Sequence, residues 1–100
     1  MKIYISGSIT NDKKYKARFN TAEKKLVAKG HEVINPAVYI EKEKNKVWLD
    51  YMIDALCVIK NENPDAIYLL KGWQISDGAN IERIVFRHDG KKIMTEREDG

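Results

Sequence analysis

An α/β fold with a parallel sheet is predicted by two features of the sequence. Apolar, β-branched runs of strand length recur along the chain, and between them apolar residues repeat every three to four positions. Strands that are separated by helices are parallel, with right-handed crossover connections. A length of 100 residues is sufficient for one hydrophobic core and too short for two. We therefore expect a single domain over residues 1–95, followed by a frayed tail at residues 96–100.

The first half of the chain predicts a strand, a helix and a second strand. Lys2 to Ser6 predict the first strand, which ends in the small residues Ser6-Gly7-Ser8. A helix is predicted from about residue 12 to residue 29 by four apolar residues at intervals of four, three and four: Tyr15, Phe19, Ala22 and Leu26. Gly30 marks the end of this helix, and Glu32 to Ile34 predict a short second strand.

The second half of the chain continues the alternation. Residues 38–46 predict an exposed connection, and residues 47–60 predict a helix with one apolar stripe: Trp48, Met52, Leu56 and Ile59. Residues 65–70 are an apolar run that predicts a buried third strand. The next helix ends at Gly90, and its predicted stripe is Ile81, Ile84, Val85 and His88. Residues 91–95 predict a last short strand.

Four strands joined in this way favour the strand order 2-1-3-4, or 2-1-3-4-5 if a fifth strand is present. This is the order of a flavodoxin-like, Rossmann-like three-layer sandwich with a four- to five-stranded parallel sheet. In that order the chain reverses direction across the sheet between the first and third strands, and ligands bind at such a switch point. The loop after Ser6 and the loop after Leu70 are therefore expected to share one crevice.

The segment from Gly72 to Glu82 is the most informative loop of the chain. It follows the third strand, contains two glycines, a serine and an aspartate, and opens a helix. Unpaired N–H groups at a helix start favour an anion, which is either a bound phosphate or a side-chain carboxylate. We therefore predict that Glu82 lies in the first turn of this helix and is ionised. The alternative is an acid that only complements the helix dipole, worth about 0.3 kcal/mol or slightly more.

Composition and charge exclude several classes of protein. The chain is 43% hydrophobic and 33% charged, and no apolar run approaches the ~18 residues of a membrane span. A formal charge of +3 with interleaved signs is typical of a solvated surface, so no nucleic-acid partner is expected. The first residues lack a secretory signal, and the lone Cys57 suits a reducing cytoplasm. We expect no metal and no cofactor, because the sequence has no His/Cys cluster.

Five short blocks stand in order along the chain: Tyr4-Ile5-Ser6-Gly7-Ser8-Ile9, Gly30-His31-Glu32-Val33-Ile34-Asn35-Pro36-Ala37, Trp48 to Met52, Asp65 to Leu70, and Gly72-Trp73 through Ser76-Asp77-Gly78-Ala79 to Glu82. Together they resemble the small nucleoside 2-deoxyribosyltransferase-like proteins, and most closely the DUF4406 group, which is common in phages and bacteria. The resemblance covers about residues 1–95 and implies a single nucleoside 2-deoxyribosyltransferase-like domain.

The resemblance also implies roles for individual residues. The family's nucleophile is the glutamate six positions after the loop serine, which implies that role for Glu82. An aspartate on the helix before the third strand assists protonation of the leaving base, and Asp50 and Asp54 are the candidates. The implied substrate-binding residues are Tyr4, Ser6, Gly7, Ser8, Ile9, Trp73, Ser76, Gly78 and Ala79. The reaction that the resemblance implies is cleavage of an N-glycosidic bond. A carboxylate suits this reaction, because it can stabilise an oxocarbenium-like transition state or form a glycosyl ester.

Each of these residues also has a structural alternative. Asp50 and Asp54 can be exposed acids, Ser76 can be a helix cap, and Tyr4 and Trp73 can be packing aromatics. Three function classes therefore stay open. They are cleavage or transfer at an N-glycosidic bond by a homodimer or larger homo-oligomer, binding of a nucleoside, nucleotide or ADP-ribose-like molecule without turnover, and an interaction protein with an unused pocket.

Overall fold

The computed structural model describes residues 1–9, 12–38 and 47–96. Over these residues the chain forms four parallel strands and three α-helices, which alternate along the sequence. In chain order the elements are β1 (Lys2–Ser6), α1 (Tyr15–Ala28), β2 (Glu32–Ile34), α2 (Trp48–Glu62), β3 (Ala66–Leu69), α3 (Asp77–His88) and β4 (Lys92–Thr95). A single 3₁₀ turn follows β2, and another precedes α3.

The sheet has the order β2-β1-β3-β4, and every neighbouring pair of strands is parallel. This order confirms the predicted flavodoxin-like topology, and the described residues add no fifth strand. The strand register places Tyr4 between Ile34 and Ile67, and it places Ser6 beside Leu69. Because β1 and β3 are the central strands, side chains on both of their faces are buried. The carboxyl ends of β1, β2 and β3 lie along one edge, where their loops meet.

Helix α1 covers one face of the sheet. Ile3 and Ile5 of β1 point to this side, because successive residues of a strand face opposite ways. The helix residues buried against them are Tyr15, Phe19, Ala22 and Leu26. The apolar stripe predicted for this helix is therefore its buried face. Gly30 follows the helix with φ of 89°, which confirms the predicted stop.

Helices α2 and α3 cover the opposite face, which completes the three layers. The core on this side consists of Tyr4, Ile34, Ile59, Ile67, Leu69, Ala79 and Phe86. The rings of Tyr4 and Phe86 stack with their centroids 6.1 Å apart. None of the helices formed by the described residues has the length and apolar character that a membrane span requires.

The start and the buried face of α3 differ from the prediction. The helix begins at Asp77, directly after Ser76, so Glu82 lies in its second turn and not in its first. Its buried residues are Ala79, Glu82 and Phe86. The predicted stripe was wrong for Ile81, Ile84 and His88, since all three are exposed, the two isoleucines by 36% and 41%. The sequence pattern failed here because the buried side contains a carboxylate and a small residue in place of two large apolar ones.

Other predicted boundaries shift by only a few residues. Helix α1 begins at Tyr15 and α2 continues to Glu62, whereas we expected residues 12 and 60. Most of the predicted connection at residues 38–46, and nearly all of the predicted tail at residues 96–100, lie outside the described residues.

Gly7, which follows β1, lies close to Leu70, which follows β3. A Cβ atom built on Gly7 would stand 3.0 Å from the Cβ of Leu70 and 3.2 Å from its Cδ1. Leu70 is buried, and its amide donates to the Ser6 carbonyl over 2.8 Å. The glycine therefore allows the two loops to approach each other, as the small residues after the first strand predict.

We expect Gly7→Ala to lower the free energy of unfolding by about 1–3 kcal/mol, because its methyl group would overlap Leu70. Urea denaturation of both proteins measures the difference. Gly78→Ala is the matched control, since a Cβ on Gly78 meets no atom closer than 3.5 Å and the residue lies in a helix. That control should be neutral or stabilising by up to about 1 kcal/mol. Equal unfolding midpoints for wild type and Gly7→Ala would contradict the close approach.

Candidate functional site

A partly open cavity lies at the carboxyl end of β1, between α2 and α3. Its volume is about 90 Å³, which is several times the space that one water molecule needs. Four residues of β1 and its loop form the floor: Tyr4, Ser6, Gly7 and Ile9. The helical walls come from α2 and α3, and Phe19 and Pro36 close the remaining side. The cavity therefore stands at the switch point that the strand order predicts.

Tyr4 and Ser6 supply the hydroxyl groups of the floor. Both side chains point toward the α2–α3 layer, because they are two residues apart on β1. Tyr4 is 1% exposed and Ser6 is 2% exposed. Since Ser6 is small, the sheet surface is lower at this point than beside Tyr4, and the depression becomes the base of the cavity.

Glu82 is held by both of these hydroxyl groups. The Tyr4 hydroxyl donates to Oε2 of Glu82 over 2.7 Å, and the Ser6 hydroxyl donates to Oε1 over 2.6 Å. Each carboxylate oxygen therefore has a donor on β1, and the carboxyl group is fixed against the strand. Glu82 is 7% exposed, so its remaining opening is toward the cavity that it lines.

The α3 wall consists of Ser76, Gly78, Ala79 and Glu82. Gly78 and Glu82 are four residues apart and lie on the same side of the helix, one turn from each other. Ser76 is the N-cap residue, and its hydroxyl accepts from the Ala79 amide over 3.2 Å. The capping role that sequence allowed for Ser76 is thus present, and the same residue also lines the cavity.

Burial controls the ionisation of the site. Removal of solvent raises the pKa of Glu82 from 4.5 to about 7, although the hydrogen bonds from Ser6 and Tyr4 act in the opposite direction. Burial, together with the neighbouring Glu82 charge, also raises the pKa of Tyr4 well above its usual 10. We predicted that Glu82 is ionised because it lies at a helix start. That reason is wrong, since Glu82 lies in the second turn and burial raises its pKa. Near pH 7 the protonated and ionised forms of Glu82 coexist.

The α2 wall is aromatic and apolar, and sequence reasoning did not assign it to the site. It consists of Trp48, Tyr51, Met52 and Ala55. These positions recur at helical spacing and therefore lie on one side of α2. Trp48 and Met52 belong to the apolar stripe predicted for this helix, yet Trp48 is 45% exposed. A half-exposed tryptophan beside a cavity is typical of a ligand-binding surface.

Neither predicted aspartate lines the cavity. At about 100° per residue, Asp50 and Asp54 point away from the α2 wall by more than roughly a quarter of a turn. The Asp50 carboxylate instead accepts from the Val47 amide over 3.0 Å and caps the start of α2. Asp54 is exposed on the outer side of the same helix. Their predicted role as leaving-group acids stays a prediction without support from this geometry.

Two predicted substrate-binding residues lie outside the cavity wall. Trp73 packs beside the core of the α2–α3 layer, and the guanidinium carbon of Arg83 stands 5.5 Å from its ring centroid. Ser8, in the loop after β1, is buried. The other residues of the predicted set do line the cavity: Tyr4, Ser6, Gly7, Ile9, Ser76, Gly78 and Ala79.

The residues that sequence reasoning missed are Phe19, Pro36, Trp48, Tyr51, Met52 and Ala55. Pro36 carried a usable signal, because it stands two residues after the end of β2, and the strand order places that end beside β1. The α2 residues carried none beyond their spacing, which is equally typical of a helix packed on a sheet.

A comparison of the chain with models of protein families agrees with the family predicted from the sequence. A model described as a domain of unknown function, DUF4406, matches residues 1–95, so the chain belongs to the DUF4406 family. A search of curated proteins and a search of solved structures each found no match. The predicted DUF4406 membership is confirmed, and the likeness to nucleoside 2-deoxyribosyltransferases stays a prediction.

Stability should depend on pH through Glu82. The native state holds the Glu82 proton up to about pH 7, whereas the unfolded chain releases it near pH 4.5. The unfolded state therefore binds fewer protons between these values, and stability falls as the pH rises through that window. Below the window, both states are protonated and the penalty is absent. A shift of this size corresponds to about 3 kcal/mol.

We therefore expect Glu82→Gln to be more stable than wild type at pH 8, by up to about 3 kcal/mol, with little difference at pH 4. Urea denaturation at both pH values measures this. Glu32→Gln is the control, because Glu32 is exposed and its substitution should change stability by less than about 0.5 kcal/mol. A destabilised Glu82→Gln at pH 8 would show that the carboxylate contributes net stability.

Proposed function

We propose that this member of the DUF4406 family cleaves the N-glycosidic bond of a nucleoside or nucleotide, by hydrolysis or deoxyribosyl transfer, with Glu82 as nucleophile. The observation that carries the proposal is the hydrogen-bonded placement of Glu82. Its carboxyl group is fixed by Tyr4 and Ser6 and faces a cavity at a switch point of the sheet. A buried acid with no functional use would weaken the fold, because an apolar residue of similar size would avoid its desolvation.

The chemistry fits a carboxyl group in this setting. Cleavage of an N-glycosidic bond develops positive charge on the sugar, which an adjacent carboxylate stabilises or captures as an ester. The attraction is stronger than in water, because Glu82 is buried and apolar side chains form much of the cavity wall. The two hydroxyl donors hold the oxygens in place before substrate arrives, which lowers the cost of ordering during the reaction.

The cavity walls divide into surfaces that suit the two parts of a nucleoside. The floor and the α3 wall carry the polar side chains of Tyr4, Ser6 and Glu82, which suit a sugar. The α2 wall carries Trp48 and Tyr51, whose rings suit a planar base. Gly78 leaves room one turn before Glu82, since a Cβ there has no protein atom within 3.4 Å.

A second candidate is a protein that binds a nucleotide or an ADP-ribose-like molecule without turning it over. The placement of Asp50 and Asp54 favours it, since the described residues then bring no second carboxyl group into the cavity, and glycosidases use such a group as the acid. The same aromatic wall and fixed carboxyl group would hold such a ligand.

We also propose that the protein acts as a homodimer, or a larger homo-oligomer, in the cytoplasm. Three neighbouring apolar residues at the start of α2 support an assembly, because Val47, Trp48 and Leu49 are 62%, 45% and 58% exposed. Cys57 is an exposed free thiol, which supports a reducing compartment. Light scattering tests the assembly, and a strict monomer at micromolar concentration would contradict it.

We expect wild-type protein to release free base from at least one member of a panel of deoxynucleosides, their 5′-monophosphates and NAD-derived nucleotides. Glu82→Gln should lower that rate by more than about 10³-fold while it still binds the substrate, because the amide cannot form the ester. Chromatography follows the base, and calorimetry follows binding. Glu32→Gln, on the surface, is the activity control.

The outcomes separate the candidates. If wild type and Glu82→Gln bind the same ligand equally and neither releases base, the enzymatic proposal is wrong and the binding protein is supported. If neither protein binds any member of the panel, both candidates are wrong.

A further inference from the structure

The proposed reaction needs a proton for the departing base, and the cavity offers few groups that can give one. Among the lining side chains of the described residues, those with an ionisable proton are Tyr4, Tyr51 and Glu82. Glu82 acts as the nucleophile in the proposed function. Tyr4 donates its proton to Glu82 and is 1% exposed, beneath the carboxyl group. Tyr51 is the ionisable hydroxyl that lines the α2 wall.

Tyr51 lines the cavity on the wall opposite Glu82. It belongs to α2, whereas Glu82 belongs to α3, and the cavity separates the two helices. A sugar placed over Glu82 therefore directs its base toward the α2 wall, where Trp48 and Tyr51 are neighbours one turn apart. The Trp48 indole can donate a hydrogen bond but cannot lose its proton under ordinary conditions. Tyrosine is among the side chains that transfer protons in catalysis.

We propose that Tyr51 is the general acid of this site, an inference that rests on the proposed function. An Oε atom of Glu82 attacks C1′ and forms a C–O ester bond while the C1′–N bond breaks. The electron pair of that bond passes to the base nitrogen, which takes the proton of the Tyr51 hydroxyl. The base leaves neutral, and Tyr51 is left as a phenolate.

The second half of the reaction returns the proton. Water or an acceptor base attacks C1′, and the ester bond to Glu82 breaks with its electron pair on the carboxylate. The attacking group loses its proton to the Tyr51 phenolate. Both side chains are thereby restored, and no oxidant, reductant or metal takes part.

The test compares substrates whose bases differ in their need for a proton. A purine deoxynucleoside is paired with its N7-methylated form, whose base leaves neutral without protonation. A pyrimidine deoxynucleoside is paired with its 5-nitro form, whose base leaves as a stabilised anion. Tyr51→Phe should slow kcat for the parent nucleoside by about 10²–10⁴-fold. For the activated partner we expect a loss of less than about threefold.

Three variants serve as comparisons. Tyr68→Phe is the matched control, because Tyr68 is a buried tyrosine that packs on the α1 side of the sheet. Asp50→Asn and Asp54→Asn test the two carboxylates of α2 in the same assay. Urea denaturation verifies that each variant is folded. Tyr68→Phe and both asparagine variants should lose similar, small fractions of activity on the two substrates.

Several outcomes would overturn the assignment. Equal losses on parent and activated substrates would show that the Tyr51 hydroxyl positions the substrate without protonating the base, and no loss on either would exclude that hydroxyl from the reaction. A loss confined to the parent substrate in Asp50→Asn or Asp54→Asn, and not in Tyr51→Phe, would give the role to that aspartate. If wild type cleaves neither substrate of any pair, the proposed function fails together with the assignment.

Discussion

The contact between Glu82 and the hydroxyl groups of Tyr4 and Ser6 is the constraint on which the site depends. It joins the first strand to the third helix across 76 and 78 residues of sequence. The pair of short hydrogen bonds compensates part of the cost of burying a carboxyl group. Because both donors lie on β1, these hydrogen bonds hold the Glu82 side of α3 against the sheet. The cavity follows, since Ser6 and Gly78 leave space beside the bound carboxyl group.

At Glu82 the demands of fold stability conflict with those of the proposed function. The buried side of α3 has Ala79 and Phe86 on either side of Glu82, so an apolar residue at position 82 would continue the core. The chain instead retains an acid whose pKa is raised to about 7 by burial. Strongly perturbed acids in a cavity are typical of functional sites. Ile81 and Ile84 lie on the opposite side of α3 from these three residues, and that side is exposed.

Sequence predicted the topology well, because the strand order follows from the alternation of elements and from crossover handedness. The sequence also predicted that the loops after Ser6 and Leu70 share one crevice, and Ser6 and Glu82 line the same cavity. The burial of Glu82 was not predictable, since a turn-rich loop and an acid fit an exposed helix start equally well. The start of α3 was missed for a related reason: Gly78 suggests a loop, yet it lies inside the first turn. The contribution of α2 to the cavity was not predictable, because Trp48 and Tyr51 have the spacing of residues that pack in an ordinary core.

The polar groups of the cavity set the kind of proton chemistry that it can support. With Asp50 used as a helix cap and Asp54 on the outer side, Glu82 is the carboxyl group among the described lining residues. The other lining groups that can exchange a proton are hydroxyls, which come from Tyr4, Ser6, Tyr51 and Ser76. A hydroxyl both donates and accepts, so those of Tyr4 and Ser6 can pair with either the ionised or the protonated form of Glu82. One acid and several hydroxyls therefore suit the proposed reaction, in which a carboxylate reacts with the sugar and a neutral hydroxyl donates a proton to the leaving base.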